Sequence, residues 1–135
     1  MSYEVLGHTA DAKLRATGAT LAEALEYATR GFAEVVGADG LEPTDEVRVE
    51  VETPGEDVEA LLFDYLARLI YVQDVEGVAV VDAEVESTAE PPRVEATLSV
   101  APVRGGLLDI KAPTYNEMVV ETDDGSWTVE AVLDI

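Results

Sequence analysis

Glu46-Val47-Arg48-Val49-Glu50-Val51-Glu52 is followed by Pro54-Gly55 and then by Leu61-Leu62-Phe63-Asp64-Tyr65-Leu66. The first run alternates valine with charge, the period of two that gives a strand one buried and one wet face. The second repeats at steps of three and four. Leu61, Leu62, Tyr65, Leu66, Leu69 and Ile70 form the buried face of a helix running to about Val72, with Gly77 marking the exit. Glu56, Asp57 and Glu59 fall in its first turn, where the helix dipole favours anions. Phe63, Tyr65 and Tyr71 sit at helical spacing and read as core. A strand joined directly to a helix, with neither period extended into the other, points to a mixed α+β chain.

Working toward the N-terminus, Thr20-Leu21-Ala22-Glu23 has the spacing of a capping box. Leu21, Leu25, Ala28, Phe32 and Val35 then give one apolar face up to Val36, and Gly37 stands at the C-cap. Strand-like runs cover roughly 12–17, 46–52, 78–86, 93–101, 107–112, 117–122 and 127–134, and Asp123-Asp124-Gly125 between the last two is a hairpin signal. The expectation is a single α+β domain over residues 1–135, in two layers, with a mostly antiparallel sheet of about seven strands and two main helices.

Composition excludes several classes. Cysteine is absent, so disulfides, thiolate metal sites and thiol nucleophiles are out. No apolar run reaches the ~18 residues of a membrane span, and Met1-Ser2-Tyr3-Glu4-Val5 lacks a signal-peptide pattern, so a cytoplasmic protein without membrane partners is expected. Acidic residues number 29 against 8 basic ones, for a net charge of −21. Such a chain repels phosphates, and direct nucleic-acid binding is not expected. Lys13 and Lys111 are the lysines. The balance resembles a protein of a high-salt, halophilic cytoplasm, where screening removes self-repulsion.

Strand parity singles out a few charged positions. Trp127, Val129, Ala131, Leu133 and Ile135 share a face, so Asp134 points away from it. Leu14 and Ala16 point inward, leaving Asp11 with Lys13 and Arg15 on the other side. Over 107–112, Leu108, Ile110 and Ala112 share a face that Lys111 opposes. Asp11, Asp134 and Lys111 are thus candidates for one polar site. Two aspartates with further oxygens, among them those of Ile135, suit calcium or magnesium. Zinc fits less well, since His8 is the single histidine and thiolates are missing. His8 and each aspartate also have plain surface or capping explanations. No serine nucleophile elbow or phosphate-cradling glycine loop occurs; Gly105-Gly106 reads as a turn.

Taken in order, His8-Thr9-Ala10-Asp11, Gly18-Ala19-Thr20-Leu21-Ala22-Glu23-Ala24, Leu61-Leu62-Phe63-Asp64-Tyr65-Leu66, Ile110-Lys111-Ala112-Pro113-Thr114-Tyr115 and Val132-Leu133-Asp134-Ile135 resemble the archease family over nearly the whole chain. The resemblance implies a metal-binding accessory factor, not itself an enzyme. Its role would be to activate an RtcB-type RNA ligase in tRNA splicing, favouring the guanylylated ligase and multiple turnover. It places the metal on Asp11, Asp134 and Ile135 and the functional contact with the ligase on Lys111. Gly7, where relatives are often acidic, and Asn116, where they often have histidine, depart from the family pattern. Asp64 falls on a family position and equally suits a plain helix carboxylate. A small metal-dependent hydrolase and a general chaperone or adaptor for RNA-processing proteins are the other classes compatible with the residues.

The acidity has a direct consequence. The Debye length shrinks from ~30 Å at 0.01 M to ~3 Å at 1 M salt, so self-repulsion should fade and the thermal midpoint should climb by several degrees. Melts in dilute buffer and in molar KCl check this; an unmoved midpoint would contradict the high-salt character.

Overall fold

The structure, a computed structural model, describes residues 1–7, 11–55, 57–103 and 105–135; the expectations for His8 and Glu56 lie outside these described residues. The elements in chain order are β1 (Ser2–Gly7), β2 (Asp11–Gly18), α1 (Leu21–Val36), β3 (Asp45–Glu52), α2 (Val58–Glu76), β4 (Val78–Ala89), β5 (Pro92–Pro102), β6 (Ala112–Asp123) and β7 (Ser126–Asp134). The strands divide into two wholly antiparallel sheets, ordered β1-β2-β7-β6 and β3-β5-β4. The α+β architecture expected from the two periods is the one observed, with the strands split between two sheets.

Both helices pack across both sheets. Helix α1 lies against β1, β2 and β7 of one sheet and β4 of the other, while α2 lies against β6 of the first and β3, β4 and β5 of the second. The core therefore sits between helices and sheets, with Leu14, Phe32, Leu61, Leu66, Leu69, Leu98 and Leu133 fully buried. A deep polar link joins the helices. Thr29 Oγ1 donates to the Leu25 carbonyl at 2.8 Å, so the buried Tyr65 hydroxyl, 2.7 Å away, is the donor to Thr29. Burial pushes the Tyr65 phenol well above its ordinary pKa, so the hydroxyl keeps the proton this bond uses.

The helix ends follow the sequence closely. Thr20 Oγ1 accepts from the Glu23 amide at 3.0 Å. The Glu23 carboxylate reaches back to the Ala19 amide and to the amino terminus of Met1, one residue earlier than in the usual capping box. Gly37 closes α1 in the left-handed region at φ 87°. The first turn of α1 packs tightly on the end of β2, for a Cβ at Gly18 would stand 2.4 Å from the Ala24 nitrogen. Asp57 proves to be the N-cap of α2, accepting from the Glu59 and Ala60 amides, so it precedes the first turn instead of lying in it. Helix α2 runs a turn beyond Val72, to Glu76.

Three expectations need correction. The run 107–112 is not a strand: β6 starts at Ala112, and Leu108 is exposed while Ile110 is buried. The Leu108 amide bonds the Val36 carbonyl at the end of α1 and the Lys111 amide bonds the Asp134 carbonyl, so the segment is tied to two different elements and no ladder can form along it. The seventh strand is instead β1, an edge strand whose Val5 faces solvent and whose alternation is correspondingly faint. Tyr71, read as core, is 60% exposed. Helix α2 carries apolar residues on its outward side as well, so periodicity alone did not mark its buried face uniquely.

Candidate functional site

Strand β2 alternates half-buried and buried positions along its whole length. Ala12, Leu14 and Ala16 enter the core, and Asp11, Lys13, Arg15 and Thr17 line the outer face, as the period of two requires. Its register with β7 pairs Asp11 directly with Asp134, Lys13 with Val132 and Arg15 with Glu130. Directly opposed residues of an antiparallel pair project to the same side with Cβ atoms ~4.5–5.5 Å apart. The two aspartates are therefore neighbours on the outer face at one end of the sheet, Asp134 exposed and Asp11 half-buried. Strand β6 meets β7 at the same point, with Ala112 paired to Asp134 and the Lys111 amide donating to the Asp134 carbonyl at 2.8 Å. Asp11, Asp134, Ile135 and Lys111 thus converge by backbone geometry, although Lys111 arrives on a connecting segment and not on a strand.

The surrounding charges are organised differently from one another. Glu130, half-buried, receives Arg15 Nε at 2.5 Å and Lys13 Nζ at 3.7 Å, and Lys13 also lies 3.9 Å from Glu117. The bond to Glu130 raises the Arg15 pKa further. On the other sheet, Glu50, Glu95 and Glu86 form a row across β3, β5 and β4, and Arg48 and Arg93 both bond Glu95 in its middle. Lys111, by contrast, is exposed and its side chain enters no ion pair among the described residues. A divalent cation between Asp11 and Asp134 would meet one carboxylate from each strand. The donor set fits a hard cation: two carboxylates and main-chain oxygens at the end of β7. Among the described residues no three Asp, Glu, His or Cys side chains gather as a metal-binding group, so a cation here would have two carboxylates and would need main-chain oxygens besides.

A feature that sequence reasoning missed adjoins the site. Thr114 pairs with Val132 and Val119 with Glu130, so Tyr115, Asn116, Glu117 and Met118 stand opposite Ala131 alone. This wide bulge is shaped by Glu117 at φ 61° and by the Asn116 amide on Thr114 Oγ1. It turns Met118 into the core and Tyr115 outward onto α2, where its ring stacks on Phe63 with centroids 4.4 Å apart and planes 4° from parallel. A non-glycine residue with positive φ cannot be read from composition; only the partial alternation around 117–122 hinted at an irregular strand. Asp64, next to Phe63, accepts a hydrogen bond from the largely buried Thr53 hydroxyl at 2.9 Å and ties the end of β3 to α2.

Comparison with known proteins follows the same lines. The family model described as the Archease protein family (MTH1598/TM1083) matches residues 3–135. The chain is 36% identical over 146 residues to the protein archease of Thermococcus gammatolerans, covering 98% of each. The solution structure of Methanobacterium thermoautotrophicum protein 1598 superposes with a TM-score of 0.79 at 27% identity, over 99% of each chain. The crystal structure of a Thermotoga maritima archease, described as a possible chaperone, shares the fold with a TM-score of 0.65 at 23% identity, over 96% of this chain and 94% of that one. No helix among the described residues is long and apolar enough to cross a membrane. With one family model spanning nearly the whole chain and relatives matched end to end, the protein belongs to the archease family.

Proposed function

We propose that this protein is an accessory factor of an RtcB-type RNA ligase, acting through a divalent cation held by Asp11, Asp134 and a main-chain oxygen of Ile135, with Lys111 as the contact with the ligase. The observation that carries the proposal is the register pairing of Asp11 with Asp134, with the Lys111 amide bonded to the same aspartate. Residues far apart in the chain, which the family resemblance implicates together, share one corner of one sheet. A hard cation bound there would add positive charge able to meet phosphate oxygens. Lys111, exposed and tied by its amide to the same strand end, would bring an ammonium to the same contact.

The chain's own residues set how such a factor works. The backbone of Lys111 is held by its bond to the Asp134 carbonyl, which keeps the lysine at the end of β7. The exposed corner projects from a rigid sheet, which suits insertion at the mouth of a partner's active site. There it would promote guanylylation of the ligase and then leave, allowing multiple turnover. The acidic surface, at net charge −21, speeds encounter with an electropositive ligase mouth more than it adds affinity. A cytoplasm of high salt, where tRNA splicing would take place, fits the same composition.

The metal site is tested by titration calorimetry of Ca²⁺ and Mg²⁺ into wild type, Asp11→Asn and Asp134→Asn. Each substitution removes one of two carboxylates and should weaken binding by about tenfold or more; unchanged affinity in both variants would remove the site. The role is tested at limiting ligase with GTP, divalent metal and broken RNA. Wild type should raise the number of joints made per ligase molecule, whereas Lys111→Ala and Asp134→Asn should lose most of the stimulation. No stimulation by wild type would refute the accessory role, and full stimulation by both variants would refute the residues assigned to it.

A further inference from the structure

Helix α2 presents more than its buried face. Phe63, Ala67, Tyr71 and Val75 follow at steps of four on its outward side, a stripe about 18 Å long at 1.5 Å per residue. Tyr71 and Val75 are 60% and 59% exposed, and Tyr115, stacked on Phe63 at the head of the stripe, is 52% exposed. A helix on the surface of a monomer normally carries polar residues there. The anomaly is sharper in a chain that carries 29 acidic residues. Beside the stripe runs a shallow groove of about 610 Å³ lined by Val51, Glu52, Asp64, Ala67, Arg68 and Tyr71.

Apolar surface left open in a rim of charge marks an interface. The rim specifies the partner. Glu52, Asp57, Glu59, Asp64, Asp74 and Glu76 flank the stripe, against Arg68, whose guanidinium is directed to the Glu50 carbonyl. Aromatic faces in a negative field select cations, arginine above all, through its stacking plane. Burial together with the charges of Asp64, Asp57 and Glu59 holds the Tyr115 phenol above its ordinary pKa, so the ring stays neutral and the field around it is negative. A second copy of this chain is a poor occupant, since it would set the same carboxylate rim against itself at contact range, where salt screens least.

We propose that the α2 stripe, with Tyr115 at its head, is a docking face for a protein surface presenting arginine or lysine among apolar side chains. This rests on the accessory role proposed above, and the occupant is the ligase. The face holds the partner while the Asp11–Asp134–Lys111 corner acts on it, so binding and stimulation reside in separate residues.

The test titrates wild type, Tyr71→Ser/Val75→Ser, Glu59→Lys and Lys111→Ala against a fixed amount of the ligase and reads both the half-maximal concentration and the plateau of stimulation. The double variant and Glu59→Lys should each raise the half-maximal concentration about tenfold at an unchanged plateau, with a thermal midpoint near wild type for the exposed pair and slightly lowered for Glu59→Lys, which sets a cation in the first turn of α2. Lys111→Ala should lower the plateau. If wild type stimulates but the double variant keeps its half-maximal concentration, the docking face is refuted and the accessory role stands. If the double variant weakens and Glu59→Lys does not, the cationic occupant is refuted. Absence of stimulation by wild type overturns both proposals. Sedimentation equilibrium completes the set: a wild-type dimer that Tyr71→Ser/Val75→Ser dissolves would make the occupant a second copy and overturn the proposal.

Discussion

The pairing of β2 with β7 is the constraint on which the rest depends. The two strands lie at the centre of the four-stranded sheet, and their register is held by Leu14, Ala16, Val129, Ala131 and Leu133, all buried beneath α1. A slip of one residue would send these side chains to water and the charged set into the core, so the register is fixed by burial over the whole ladder. That same register fixes which polar residues meet outside. Asp11 opposes Asp134 because Leu14 opposes Ala131. The candidate site is a by-product of core packing, which places two like charges side by side with no flexible loop to separate them.

The second constraint is the wide bulge of β6. Without three extra residues among Tyr115–Met118, β6 would continue as a regular edge strand and its side chains would alternate across the sheet. The bulge instead frees Tyr115 to stack on Phe63 and brings Met118 under the sheet, so one irregularity links the sheet that carries the aspartates to the helix that carries the aromatic stripe. Bulges of this kind re-aim side chains next to functional sites. The positive φ at Glu117, three positions before Val120 on the same strand, is the local strain that accompanies it.

Much of this was legible in the sequence where a single local rule decides the outcome. Thr20 and Gly37 bound α1, Asp124-Gly125 turns the last hairpin with both residues at positive φ, and the parity of β2 and β7 put Asp11 and Asp134 on the outer face. The illegible parts depend on contacts between distant segments. Residues 107–111 look like a strand, yet their amides are claimed by Val36 and Asp134. Strand β1 has too little burial to impose an alternation. Tyr71 reads as core because α2 is apolar on more than one side, and a helical period does not say which side a neighbour covers. Parity on a strand groups Lys111 with the aspartates; the structure instead puts it on a connecting segment, tied to Asp134 by one backbone hydrogen bond.

The central claim is that a packing-enforced pair, Asp11 and Asp134, binds a divalent cation with Lys111 coupled to it. An amide-resolved NMR titration with Ca²⁺ or Mg²⁺ at fixed ionic strength tests this most directly. Saturable shifts should concentrate on Asp11, Asp134, Ile135 and the Lys111 amide, which reports on the Asp134 carbonyl through its hydrogen bond. Shifts centred on the Glu50–Glu95–Glu86 row, or no saturable change at the end of β2 and β7, would contradict it.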